Sequence, residues 1–104
     1  MQTHAKIKIL IADDHKMVRA GLAALLETEN DMTVVGQAEN GEEAVSKTLQ
    51  LKPDVIVMDL MMPVKDGVEA TAEIHQKSPQ VKIVILTTYG TSDGIAHALE
   101  AGAS

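Results

Sequence analysis

Apolar residues follow two rhythms along the 104-residue chain, short near-continuous runs and longer stretches spaced three or four apart, and the two alternate. The runs predict strands over 6–12, 33–38, 54–59 and 82–88, with Pro53 and Pro79 marking the approaches to the last two. Between them the spacing predicts helices. In the first, Val18, Leu22, Leu25 and Leu26 fall at i, i+4, i+7 and i+8 and form one apolar stripe. The second opens on Asn40 with Glu43 three residues on, the third on Asp66 with Glu69. Both resemble capping boxes, in which side chains satisfy the free N–H groups of a helix start. A fourth helix begins near Ser92 and carries Ile95, Ala98, Leu99 and Gly102 on one face.

Four strand-helix units in series predict an α/β fold, a doubly wound parallel sheet with helices on both faces. "IKILIA", "VIVM" and "KIVILT" are apolar enough to be covered on both sides, whereas "TVVGQAE" is shorter and more polar, so the second strand is the expected edge. The fourth strand reads as interior, although no strand follows its helix in "EAGAS".

Composition narrows the class. With 45% apolar residues and Tyr89 as the lone aromatic, Val, Ile, Leu, Met and Ala must fill a modest single core. A formal charge of -6 argues against this segment gripping a nucleic-acid backbone itself. Absence of cysteine excludes a disulfide framework and thiolate metal sites. The N-terminal apolar run is too short and too soon interrupted by acids for a signal peptide or a membrane span, which predicts a soluble, cytoplasmic protein.

The chemistry lies where the apolar runs stop on carboxylates. "ILIADDH" ends the first strand on Asp13 and Asp14, and "VIVMDLMMP" ends the third on Asp59. In an open parallel sheet ligands bind beyond the carboxyl ends of the strands, where strand order reverses. Three carboxylates gathered there repel one another unless a cation sits among them. An all-oxygen, partly open site suits a hard divalent ion such as Mg²⁺ (or Mn²⁺). The fourth strand brings the hydroxyls of Thr87 and Thr88 to the same rim. A metal, a central carboxylate and a hydroxyl together predict phosphoryl transfer to an aspartyl oxygen.

The stretches "ILIADDH", "VIVMDLMMPVKDG" and "VILTTYG", in this order, resemble the receiver domain of two-component response regulators, with its flavodoxin-like fold, over essentially the whole chain. "DDHKMVRAGLAALLE" resembles the NarL type, whose members usually carry a C-terminal helix-turn-helix of the LuxR kind. The resemblance implies that Asp59 accepts phosphate from a sensor histidine kinase. It implies that Asp13, Asp14 and Asp59 hold Mg²⁺, Asp13 through water, with the main-chain carbonyl of Met61 completing the set. Thr87 would bind the phosphoryl group and shift toward it. Met61, Thr88 and Tyr89 would flank the phosphoryl group, and the bulk of Met61 and Tyr89 implies slow self-hydrolysis. It further implies homodimers on phosphorylation, DNA binding only through the C-terminal domain, and strand order 2-1-3-4-5. The fifth strand, with its switch aromatic and lysine, and the fifth helix do not lie within the 104 residues. Lys65 is a candidate to supply positive charge in that lysine's place.

Other functions fit less well. A P-loop needs Lys and Ser or Thr where Gly41 is followed by Glu42 and Glu43. A haloacid-dehalogenase-like phosphatase wants an acid where Met61 stands, and an FMN-binding loop would not be acidic. The alternative of a different class is a phosphorylation-independent receiver-like interaction module. Asp66 reads as a helix cap, Met58, Met61 and Met62 as core and loop filler, and His4, His15, His75 and His97 as surface residues without metal-ligand spacing, His15 alone being near enough to support the site.

Overall fold

The computed structural model describes residues 6–60 and 62–86. Four strands and three helices alternate among them: β1 (Ile7–Ala12), α1 (Lys16–Glu27), β2 (Met32–Ala38), α2 (Gly41–Leu51), β3 (Val55–Asp59), α3 (Gly67–Lys77) and β4 (Lys82–Leu86). All pairings are parallel, in the order β2-β1-β3-β4. The strand bounds lie within two residues of the sequence expectation, except that the expected end of the fourth strand falls outside the described residues, and the order agrees with it as far as four strands go. The expected fourth helix, near Ser92, lies outside the described residues.

Strand alternation sorts the apolar side chains into two layers. Leu10, Ala12, Ile56, Met58 and Ile83 form the core with Ala44 and Val45 of α2 and Ala70 and Ile74 of α3. Ile9 and Ile11 point the other way and are also buried, on the side where α1 packs. Burying side chains of this size contributes about 1.5–3 kcal/mol each relative to exposure. The α1 stripe is only half buried. Val18, Leu22 and Leu26 are partly covered, but Leu25 remains 65% exposed, because the helix turns Leu22, Ala23 and Leu26 toward the sheet and leaves Leu25 at the stripe's outer margin.

Among the described residues β2 is an edge strand, as its polar composition predicts. Its register against β1 slips once: Ile9 pairs with Val34, but Leu10 pairs with Gly36, leaving Val35 as an extra residue. What lies beyond β4, read as interior from the sequence, is outside the described residues. Among the described residues β4 pairs only with β3, and Val84, on the α1 side of the sheet, is 46% exposed.

The helix starts bear out the capping signals. Asn40 Oδ1 accepts the Glu43 N–H at 2.8 Å, and Asp66 Oδ1 accepts the Glu69 N–H at 2.9 Å. Such caps stabilise a helix by about 1 kcal/mol each. Glu43 reciprocates one residue earlier than a capping box requires, accepting the N–H of Glu39 at 3.1 Å.

Two glycines bring the elements together at the carboxyl edge. Gly41 N–H donates to the Lys65 carbonyl at 2.9 Å, and a Cβ on Gly41 would stand 2.0 Å from that oxygen. Gly67 N–H donates to the Leu60 carbonyl at 2.9 Å, and a Cβ there would stand 2.3 Å from the Asp59 carbonyl oxygen. Only residues without a side chain let α2 and α3 start this close to the loop after β3.

Candidate functional site

β1 and β3 are neighbours in register, so their last residues finish side by side: Ala12 pairs with Met58, and the next positions are Asp13 and Asp59. Each apolar strand is a rigid stem that presents an oxygen at its tip. Asp13 and Asp59 are 3% and 4% exposed, whereas Asp14 faces solvent. Ligand atoms of Asp13, Asp14, His15 and Asp59 all lie within 4.8 Å of one another. The three carboxylates expected to converge therefore do so, on one rim of the sheet.

His15, read from the sequence as the one histidine near enough to support the site, joins them. Its main-chain N–H donates to Asp13 Oδ1 at 2.8 Å, closing a turn on the side chain two residues back. Its Nδ1 lies 2.9 Å from the same oxygen and 3.0 Å from Asp14 Oδ1. The hydrogen bond to Asp13, then the charge of Asp14, raise its pKa above the ordinary histidine value, against an opposing effect of burial. The imidazole thus stands where positive charge is favoured, against the buried carboxylate of Asp13 and the exposed one of Asp14.

Asp13 is held at every group. Its N–H donates to the Ala38 carbonyl at 3.0 Å, extending the β1–β2 ladder, and its carbonyl accepts Arg19 Nη1 at 2.7 Å. Arg19 Nε also donates to Gln37 Oε1 at 3.3 Å, and Lys47 Nζ caps the Gln37 carbonyl.

The loop over 60–66 leaves the site through a tight turn. Lys65 N–H donates to the Pro63 carbonyl at 2.8 Å around Val64, whose φ is 70°. Positive φ is an outlier for a β-branched residue. Lys65 does not turn its charge toward Asp59. Its Nζ pairs with Glu73 on α3, and Lys77 Nζ lies 2.9 Å from the other Glu73 oxygen. The idea that Lys65 replaces the family's lysine is corrected by this pairing. The hydrogen bond from Lys65, then that from Lys77, lower the Glu73 pKa, and the Lys65 pKa is raised in turn. Asp66 is a cap, and Met58 and Met62 are buried, as read from the sequence. Met61, Thr87, Thr88 and Tyr89 lie outside the described residues, as do His4 and His97. His75 is exposed on α3.

A parallel doubly wound sheet whose adjacent strands deliver carboxylates to one rim defines a class of α/β domains with an acidic site that could hold a cation. The response regulator receiver domain family matches residues 9–104, and the chain belongs to it. The response regulator protein VraR of Staphylococcus aureus is 47% identical over 96 residues, which are 92% of this chain and 46% of that protein. The chain thus spans about half the length of the curated relatives it matches. Among solved structures, the response regulator domain of Thermotoga maritima CheB superposes with a TM-score of 0.86 at 38% identity, covering 94% of this chain and 74% of that one. A LuxR-family two-component response regulator from Aurantimonas sp. gives 0.90 at 37% identity, covering 96% and 71%. No helix among the described residues is long and apolar enough to cross a membrane.

Proposed function

We propose that this receiver domain is a phosphorylation switch in which Asp59 is the phosphoacceptor and Asp13, Asp14 and Asp59 hold Mg²⁺ (or Mn²⁺), with the main-chain carbonyl of Met61 as a further ligand. The observation that carries the reading is the convergence of these carboxylates within 4.8 Å, two of them buried. Like charges so close favour a bound cation, and oxygen donors at a site open on one side fit a hard divalent ion that retains water. Magnesium supplies charge neutralisation to the phosphoryl oxygens when bound.

The chain's own residues do the rest. A carboxylate oxygen of Asp59 attacks phosphorus, the phosphorus–nitrogen bond of the kinase's phosphohistidine breaks, and the imidazole leaves with the electron pair. Asp59 attacks from a fixed place because β3 holds it between β1 and β4. Thr87 binds the transferred group and moves toward it. Met61, Thr88 and Tyr89 flank it, and the bulk of Met61 and Tyr89 slows hydrolysis. The donor is a sensor histidine kinase in the cytoplasm. Phosphorylation favours homodimers and, in a longer protein with a C-terminal helix-turn-helix domain, DNA binding.

Incubation with Mg²⁺ and a small phosphodonor, followed by intact-mass measurement, tests the reading. A phosphoryl adduct forms on the wild-type chain and is lost in Asp59→Asn. A chain that acquires no adduct, and does not respond to beryllofluoride, is instead a phosphorylation-independent interaction module.

A further inference from the structure

We propose that Arg19 is a positioning residue for the cation site, acting through the backbone of Asp13 and braced by Gln37. This rests on the reading of Asp13 and Asp14 as cation ligands. The two peptide planes that flank Asp13 are each rigid units, so fixing both fixes its Cα–Cβ bond, and the His15 N–H bond to Oδ1 then sets the carboxylate. The first plane is pinned by β2, through the hydrogen bond from Asp13 N–H to Ala38 at 3.0 Å. The second joins Asp13 to Asp14, and nothing in the ladder holds it. Arg19 does so, donating from Nη1 to the Asp13 carbonyl at 2.7 Å, a short, charge-assisted bond. Because the Asp14 N–H belongs to the same plane, one guanidinium orients the backbone of both acids.

Arg19 is itself aimed. Its Nε donates to Gln37 Oε1 at 3.3 Å, so the planar fork spans the ends of β1 and β2. The Gln37 carbonyl is held by Lys47 of α2. A line of side chains from three elements thus ends on the peptide between Asp13 and Asp14, and none of them is placed to ligate the cation.

The sign of the effect separates positioning from charge. Arg19 is a cation beside an acidic site, so its removal by Coulomb's law alone tightens a divalent ion or leaves its binding unchanged. If Arg19 positions the ligands, removal weakens binding instead. Groups that orient metal ligands from outside the coordination sphere typically change affinity about 10–100-fold. Mg²⁺ titration calorimetry on wild type, Arg19→Met and Gln37→Leu, with urea unfolding of each, is the test. We expect Arg19→Met to weaken Mg²⁺ about ten-fold, and Gln37→Leu, which changes no charge, to weaken it less but in the same direction. Unchanged or tighter Mg²⁺ binding by folded Arg19→Met overturns the proposal. If Arg19→Met does not fold, unchanged binding by Gln37→Leu overturns it. A merely structural role lowers the unfolding midpoint and leaves the affinity of the folded protein alone. Failure of the wild type to bind Mg²⁺ overturns the cation-site reading itself, and the proposal with it.

Discussion

Replacing Gly67 with alanine puts a methyl group where the chain has no room. The new Cβ would stand 2.3 Å from the Asp59 carbonyl oxygen, 2.6 Å from Leu60 Cα and 3.0 Å from the Asp59 carbonyl carbon. A carbon and a carbonyl oxygen in ordinary contact are about 3.3 Å apart, so something must move by about 1 Å. All three neighbours are backbone, and no rotamer change relieves them. Overpacking of this kind costs about 1–3 kcal/mol, and loss of the Gly67 to Leu60 hydrogen bond adds about 1 kcal/mol. We expect a destabilisation of about 3 kcal/mol by urea unfolding, which lowers Tm by about 12–24 °C for a domain of this size. Gly21→Ala is the matched control. Nothing lies within 4 Å of its added Cβ on the exposed side of α1, so the same change stabilises by about 0.5–1 kcal/mol. Because the displaced atoms belong to Asp59 and Leu60, Gly67→Ala also weakens Mg²⁺ binding, and Gly21→Ala does not. A Gly67→Ala protein within about 0.5 kcal/mol of wild type would refute the reasoning.

Val64→Asn keeps the tight turn but seats a residue that tolerates positive φ, and we expect chemical denaturation to show a gain of about 1 kcal/mol; a loss would mean that the Val64 side chain stabilises the loop by other means. Thr71 Oγ1 is fully buried without a hydrogen-bond partner among the described residues, unlike Thr48, whose hydroxyl donates to the Ala44 carbonyl at 2.6 Å. Thr71→Val therefore stabilises by about 1–2 kcal/mol in thermal unfolding, and Thr48→Val does not. Glu73 has its pKa lowered in the folded protein by Lys65 and Lys77. Its contribution is therefore present above the unfolded value of 4.5 and is lost as pH falls through the lower, folded one. Wild type should exceed Glu73→Gln in stability at neutral pH, and the difference should vanish in acid; a constant difference would rule the ion pairs out as its cause.

The acidic rim was legible because it depends on only two rules, apolar runs that become strands and ligands that gather at strand ends. Asp13, Asp14 and Asp59 needed nothing else. Caps at Asn40 and Asp66 were legible for a similar reason, since each is a bond within four residues. Features that need the register were not. Arg19 and Gln37 are 18 positions apart, and their contact exists only because α1 lies over the ends of β1 and β2. Lys65 looked available to Asp59 in the one-dimensional chain, but Glu73, eight positions on, takes its charge. Leu25 obeyed the helical period and still stayed outside, because the period fixes a stripe and not the angle at which the stripe meets the sheet.

The extra residue at Val35 has a bearing on how the chain behaves in company. β2 is an outer strand, and an outer strand offers its spare amide and carbonyl groups to any extended polypeptide that drifts alongside. The slip between Ile9 and Leu10 puts those groups out of step halfway along, so a straight visitor cannot dock over the full length. Newly made copies crowded together thus find a poor template on this margin, and runaway stacking into fibrils is discouraged there by a single irregularity.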